Sequence, residues 1–325
     1  MPRLQILTLE NVLNPTFDDG LPRNHHLVPL AHLSRMRLRC EAAQCVFLMS
    51  GLTALPTTAR LSLCLIGPRQ DLRNAIPMLK PFSMPMNDPY DPLIYVSLDC
   101  SKEYGHKTIQ FSAANKSSLG HPRGKISLFY QPPDVRWSAT LQRLFTELCL
   151  GEVEVLDLSG NELYRLTMKG FQVAFGPMKA VRDLRLGKKA GRFSRNGGIV
   201  ELIEALALPA PRPKMPAKKA RASTTDEQDH PLLFPELESL TLVSMNLASR
   251  KADGETTYHE VLLEVLETRC TFGVPLQRLI LKDCTYKESW LATYGGYVVK
   301  VSSEHPGRVL DENFQIPHST QHLMI

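Results

Sequence analysis

Apolar residues return along this chain in one frame, at offsets 0, 3 and 5. "VEVLDL" places Val153, Leu156 and Leu158 so. "LQILTL" gives Leu4, Leu7 and Leu9, "LSRMRL" gives Leu33, Met36 and Leu38, and "LIYVSL" gives Leu93, Val96 and Leu98. Val181, Leu184 and Leu186 follow, then Leu237, Leu240 and Leu242, then Leu276, Leu279 and Leu281. Weaker copies are "TARLSL" (Leu61, Leu63) and "RGKISL" (Ile126, Leu128). Starts at 4, 33, 58, 93, 123, 153 and 181 lie 25 to 35 residues apart, and 237 is two such steps on. That spacing sits at or just above the period of leucine-rich repeats.

Between the frames the period changes to that of a helix. Leu141, Leu144, Phe145 and Leu148 fall at i, i+3, i+4, i+7, as do Ile199, Leu202, Ile203 and Leu206. Tyr258, Val261, Leu262, Val265 and Leu266 repeat the pattern behind "TYHE", a candidate capping box from Thr257 to Glu260. Strand followed by helix implies parallel strands with crossover helices. The expected fold is α/β, a leucine-rich-repeat solenoid or horseshoe, with a parallel concave sheet, convex helices and about nine or ten irregular units stacked in sequence order. A doubly wound α/β domain explains the alternation but not the recurring frame.

Two stretches break the rhythm. Residues 77–92 hold five prolines and read as an extended loop. Residues 209–231, "PAPRPKMPAKKARASTTDEQDHP", have almost no large apolar side chains and read as a disordered basic insert. The chain then divides into an N-terminal repeat part, 1–208, the insert, 209–231, and a C-terminal repeat part, 232–325.

The C-terminal part carries a more specific likeness. "FPELESLTLVSMNL", the helix "YHEVLLEVLETRC" and "GVPLQRLILKDC" resemble the leucine-rich-repeat region of F-box-like proteins numerous in mushroom-forming fungi. "LSLCLIG", "LTALPTTARL" and "YVVKVSSE" share that style. The resemblance implies a substrate-recognition part of an SCF-type ubiquitin ligase, whose F-box, N-terminal to the repeats, docks on a Skp adaptor. Here the chain opens on a repeat at Leu4, so an adaptor is expected only if an F-box exists upstream. An uncapped first unit is expected to lean on a partner or on another copy.

Composition changes this picture little. Of 325 residues, 43% are hydrophobic, enough for a large core. No apolar run approaches the ~20 residues of a membrane helix, and no signal peptide opens the chain, so an intracellular, cytoplasmic or nuclear, protein is expected. The seven cysteines form no CxxC pair, and Cys64, Cys100 and Cys284 are expected to pack. His25 and His26 near Asp18 and Asp19 lack a second ligand group, and no phosphate-loop, zincin or nucleophile-elbow motif occurs. No enzyme, cofactor or metal is therefore expected.

A net charge of +5 does not by itself demand nucleic acid. Its distribution is more informative. With alternate leucines inward, Arg35, Arg37, Arg39, Arg60, Tyr95, Lys125, Phe129, Arg185, Arg278 and Lys282 face outward and form a candidate partner surface. Its arginine stripe suits an acidic or phosphorylated ligand or nucleic acid. Lys214, Lys218, Lys219 and Arg221 in the insert form a candidate basic signal. The leading expectation is a protein–protein interaction module, with nucleic-acid binding as the alternative.

Overall fold

The computed structural model describes residues 4–10, 28–53, 55–56, 59–66, 74–83, 92–103, 106–115, 126–131, 138–148, 150–159, 168–187, 197–208, 232–251, 254–305 and 307–312. Two compact units divide the chain, Met1–Glu162 and Leu163–Ile325. Each is an open, mostly parallel sheet with helices in its crossovers.

In the first unit the elements run β1 (Ile6–Glu10), β2 (Val28–Pro29), β3 (Arg35–Glu41), α1 (Ala42–Gly51), β4 (Leu52–Thr53), β5 (Arg60–Ile66), a 3-10 turn (Ile76–Leu79), α2 (Lys80–Ser83), β6 (Leu93–Glu103), β7 (His106–Asn115), β8 (Ile126–Gln131), α3 (Ser138–Glu147) and β9 (Val155–Ser159). The sheet order is β1-β3-β5-β8-β7-β6-β9. This corrects the expectation of parallel strands in sequence order. β7 is antiparallel to both neighbours, and the hairpin β6–β7 places β8 against β5 instead of β6. The cause is local. Residues 106–115 alternate, with Ile109, Phe111 and Ala113 on the core face, so they continue the sheet instead of crossing back as a helix. The core rows are otherwise those of the frame. Met36, Leu61, Ile126, Ala113, Val96 and Leu156 align across six strands, each at most 1% exposed.

The proline-rich stretch is also corrected in part. Residues 76–83 are helical, with Pro77 in the first turn, where its fixed φ suits a helix and its missing N–H costs nothing. Residues 84–91 lie outside the described set.

The second unit is regular. Its elements are α4 (Met168–Phe175), β10 (Asp183–Gly187), α5 (Gly197–Ala205), β11 (Ser239–Val243), α6 (Tyr258–Thr271), β12 (Arg278–Lys282), β13 (Thr285–Lys287), α7 (Glu288–Gly295), β14 (Lys300–Glu304) and β15 (Arg308–Leu310). The order β10-β11-β12-β14 is parallel and follows the sequence. Leu184, Leu240 and Leu279 stack at 0% exposure, as do Leu186, Leu242 and Leu281. Three successive strands end on a residue with positive φ: Ser244 (52°), Asp283 (51°) and His305 (48°). Each turns the chain at the same register. The Ser244 amide donates to the Lys282 carbonyl at 2.8 Å, and the Asp283 amide donates to that of His305 at 2.9 Å. A second small ladder follows the turn, where β13 and β15 pair in parallel. Strand, left-handed turn, short strand and helix thus recur as a coil.

Helix α6 begins with the capping box read from sequence. The Thr257 amide donates to Glu260 Oε2 at 2.6 Å, and the Glu260 amide donates back to Thr257 Oγ1 at 3.3 Å. The bonds from Thr257 hold the Glu260 carboxyl below its ordinary value.

Candidate functional site

The outward face of the first sheet is built by register. Because side chains alternate, each residue facing away from the leucine rows joins a row across the strands. One row begins with Ile6, Arg35 and Arg60. The next is Thr8, Arg37, Ser62, Ser127, Ser112, Ser97 and Asp157, a run of hydroxyls with an arginine near one end and a carboxylate at the other. The third is Glu10, Arg39, Cys64, Phe129, Gln110 and Asp99. The four serines are half-buried and short, so they floor a shallow trough across the strands. Phe129 and Gln110 stand on one side, and Tyr95, two residues before Ser97, on the other.

Charge along the trough is polar. Arg35 and Arg60 are direct cross-strand neighbours, where like charges repel. Arg37 Nε meets Glu10 Oε1 at 3.4 Å. Arg35 and Arg39 are exposed and have no carboxylate partner among the described residues. At the far end the Tyr95 hydroxyl donates to Asp157 Oδ2 at 3.4 Å, while Asp157 Oδ1 is buried with no hydrogen-bond partner. Cys64 lies half-buried in the third row, not in the core as expected. Burial pushes its thiol up, against the opposite pull of Arg39 and Arg37. The core thiols are instead Cys40 and Cys45, and Cys284, buried as expected, whose Sγ donates to the Leu242 carbonyl at 3.3 Å.

Six of the expected surface residues, Arg35, Arg37, Arg39, Arg60, Tyr95 and Phe129, therefore share one face. Arg185, Arg278 and Lys282 lie on the corresponding face of the second unit. There the rows read Asp183, Ser239, Arg278, Lys300, then Arg185, Thr241, Ile280, Ser302, then Gly187, Val243, Lys282, Glu304. Arg278 reaches over Ser239 to Asp183 at 3.6 Å, so that charge is countered within the sheet. Lys125, the insert residues Lys214, Lys218, Lys219 and Arg221, and His25 and His26 lie outside the described residues.

Two buried polar arrangements escaped the sequence reading. Arg269 on α6 is 0% exposed. It donates to the carbonyls of Leu206 at 3.3 Å, Leu233 at 3.2 Å and Phe234 at 3.0 Å. Its signal was present: Arg269 continues the apolar stripe of α6 four residues after Val265. On the same helix, His259 stacks on Trp290 with ring centroids 4.1 Å apart, and its Nδ1 lies 2.8 Å from the Tyr294 hydroxyl. A third feature in the first unit is an apolar depression of about 320 Å³, lined by Met49, Leu52, Leu55, Met78, Pro81 and Phe82.

No protein-family model, curated protein or solved structure matches this chain. Among the described residues no helix is long and apolar enough to cross a membrane.

Proposed function

We propose that this protein is a non-enzymatic, protein-binding module of leucine-rich-repeat type that engages its partner through the outward face of the sheet. The observation that carries this reading is the trough of the first unit. It joins a hydroxyl floor, two half-buried aromatic residues and opposite charges at its two ends, as peptide recognition requires. The left-handed turns repeated after β11, β12 and β14 support a coiled repeat. The resemblance to F-box-like proteins supports a role in recognising substrates for an SCF-type ubiquitin ligase, with a Skp-type adaptor bound through an F-box upstream. Nucleic acid is the second reading, favoured by the adjacent Arg35 and Arg60 and by the basic insert.

Site-specific photo-crosslinking tests the proposal. Benzophenone side chains at Ser62 and Thr241 on the sheets should capture proteins in a cell extract, and the same probe at Lys169 and Glu264 on exposed helix faces should not. Labelling restricted to the helix positions would overturn it.

A further inference from the structure

Resting on that reading, we propose that the trough of the first unit takes an extended phosphopeptide, with the phosphorylated residue at Arg35, Arg37 and Arg60 and a basic residue at Asp157.

The cationic end is made of arginine alone among the described residues of β3 and β5. Guanidinium forks bind phosphoryl oxygens in pairs, which a carboxylate satisfies less fully and a lysine matches less well. The direct Arg35–Arg60 neighbourhood destabilises the empty sheet. A dianion between the two forks converts that repulsion into attraction. Arg37, one row on, is half-committed to Glu10, and Arg39 stands beyond it without a carboxylate.

The rest of the row sets the ligand. Ser62, Ser127, Ser112 and Ser97 present hydroxyls that donate to or accept from an extended backbone lying across them. At the far end Asp157 Oδ1 has no donor, and leaving a buried acceptor unmet costs stability that a ligand's ammonium or guanidinium would restore. Asp99 in the neighbouring row adds to the negative potential there. From β3 to β9 the trough crosses five strand spacings of about 4.8 Å, about 24 Å in all. An extended peptide rises about 3.4 Å per residue, so the phosphorylated and basic residues stand about seven positions apart.

The same geometry disfavours a nucleic acid strand. A polyanion needs a continuous basic track. Here the arginines occupy two adjacent strands, with Glu10 on one flank and Asp99 and Asp157 beyond the serines.

The test is fluorescence anisotropy with the full 325-residue chain. The probes are degenerate labelled peptides with fixed phosphoserine and fixed arginine seven positions apart, in either order. Controls are the same peptides with serine for phosphoserine or alanine for arginine, and a single-stranded oligothymidylate. One phosphorylated order should bind at least about tenfold more tightly than its serine control, the scale of charge-assisted hydrogen bonds. Arg35→Gln with Arg60→Gln should abolish that advantage without lowering Tm. Arg60→Lys, which keeps the charge and loses the fork, should reduce it. Asp157→Asn should remove the preference for arginine and leave the preference for phosphate. Equal binding of phosphorylated and unphosphorylated peptides in both orders overturns the proposal. So does oligothymidylate binding more tightly than either through the same arginines. Crosslinking at Ser62 that is indifferent to phosphatase treatment removes the phosphopeptide and leaves the protein-binding reading standing. Absence of crosslinking at every sheet position removes both.

Discussion

Arg269 shows what a single buried charge does in this fold. Its guanidinium serves no carboxylate; its partners are three carbonyls that secondary structure leaves unmet. Leu206 follows the last turn of α5, where carbonyls point out of the helix without intrahelical donors. The negative end of the helix dipole favours a cation there. Leu233 and Phe234 lie just beyond residues 209–231, and Phe234 carries a positive φ of 54°, costly for a bulky side chain. Burial lowers the Arg269 pKa to about 10, still well above neutrality. Arg269→Met should lower stability by about 2–4 kcal/mol, because three buried acceptors lose their donor. Chemical denaturation reads this directly, and a variant as stable as the parent would refute the clamp. His259 makes a second residue-scale prediction. Burial lowers its pKa from the ordinary 6.5, more than Glu260 raises it, and Lys287 lowers it further. The neutral ring accepts the Tyr294 hydroxyl proton; a protonated Nδ1 could not. The unfolded chain then binds more protons than the folded one. Stability is full above 6.5, falls as pH drops through 6.5, and levels below the lower folded value. Tm against pH should show this slope, and His259→Gln should flatten it.

At the scale of elements, packing between strands is tight enough to be tested by one methyl group. Gly187 ends β10 beside Val243, and a Cβ added there would lie 2.5 Å from Val243 Cβ and 2.7 Å from its carbonyl oxygen. Backbone cannot yield as a flexible side chain does, so Gly187→Ala should cost about 1–3 kcal/mol in thermal or chemical unfolding. An unchanged midpoint would mean that β10 and β11 separate at that end. The legibility of each element has the same physical basis. Frames such as Leu240 with Leu242, and Leu279 with Leu281, were readable because burial on one sheet face fixes period and side together. The capping box at Thr257 was readable because its donors and acceptors are all local. The β6–β7 hairpin was not read, although Ile109, Phe111 and Ala113 alternate correctly. The "LIYVSL" frame was assumed to end in a crossover helix, and local pattern does not say which neighbour a strand will choose. The arginines were correctly placed outward, but the serine row needed the cross-strand register. Ser62, Ser127, Ser112 and Ser97 come from four separate strands and meet only in the sheet. Arg269 and His259 depend on partners far along the chain, and no spacing rule reveals those.

At the scale of the whole molecule, the insert separates the two readings of function. Residues 209–231 leave and rejoin the second unit at nearly one point. The Leu233 amide donates to the Leu208 carbonyl at 3.3 Å, and Arg269 binds Leu206 on one side and Leu233 and Phe234 on the other. The fold thus closes the insert's base without using its interior. Replacing residues 209–231 with about six Gly/Ser residues should keep the fold and raise stability by about 1 kcal/mol, since a shorter loop loses less entropy on closure. The replacement also removes Lys214, Lys218, Lys219 and Arg221. Binding confined to the trough should then be unchanged in affinity, and should fall only modestly between low and moderate salt. Binding that uses the insert as a basic arm should weaken and lose part of its salt slope, because each phosphate contact given up returns fewer counterions. Anisotropy titrations of the parent and the shortened chain at two salt concentrations, with phosphopeptide and with oligothymidylate, measure both effects. An insert-dependent salt slope for the peptide would place the recognition of phosphate outside the sheet.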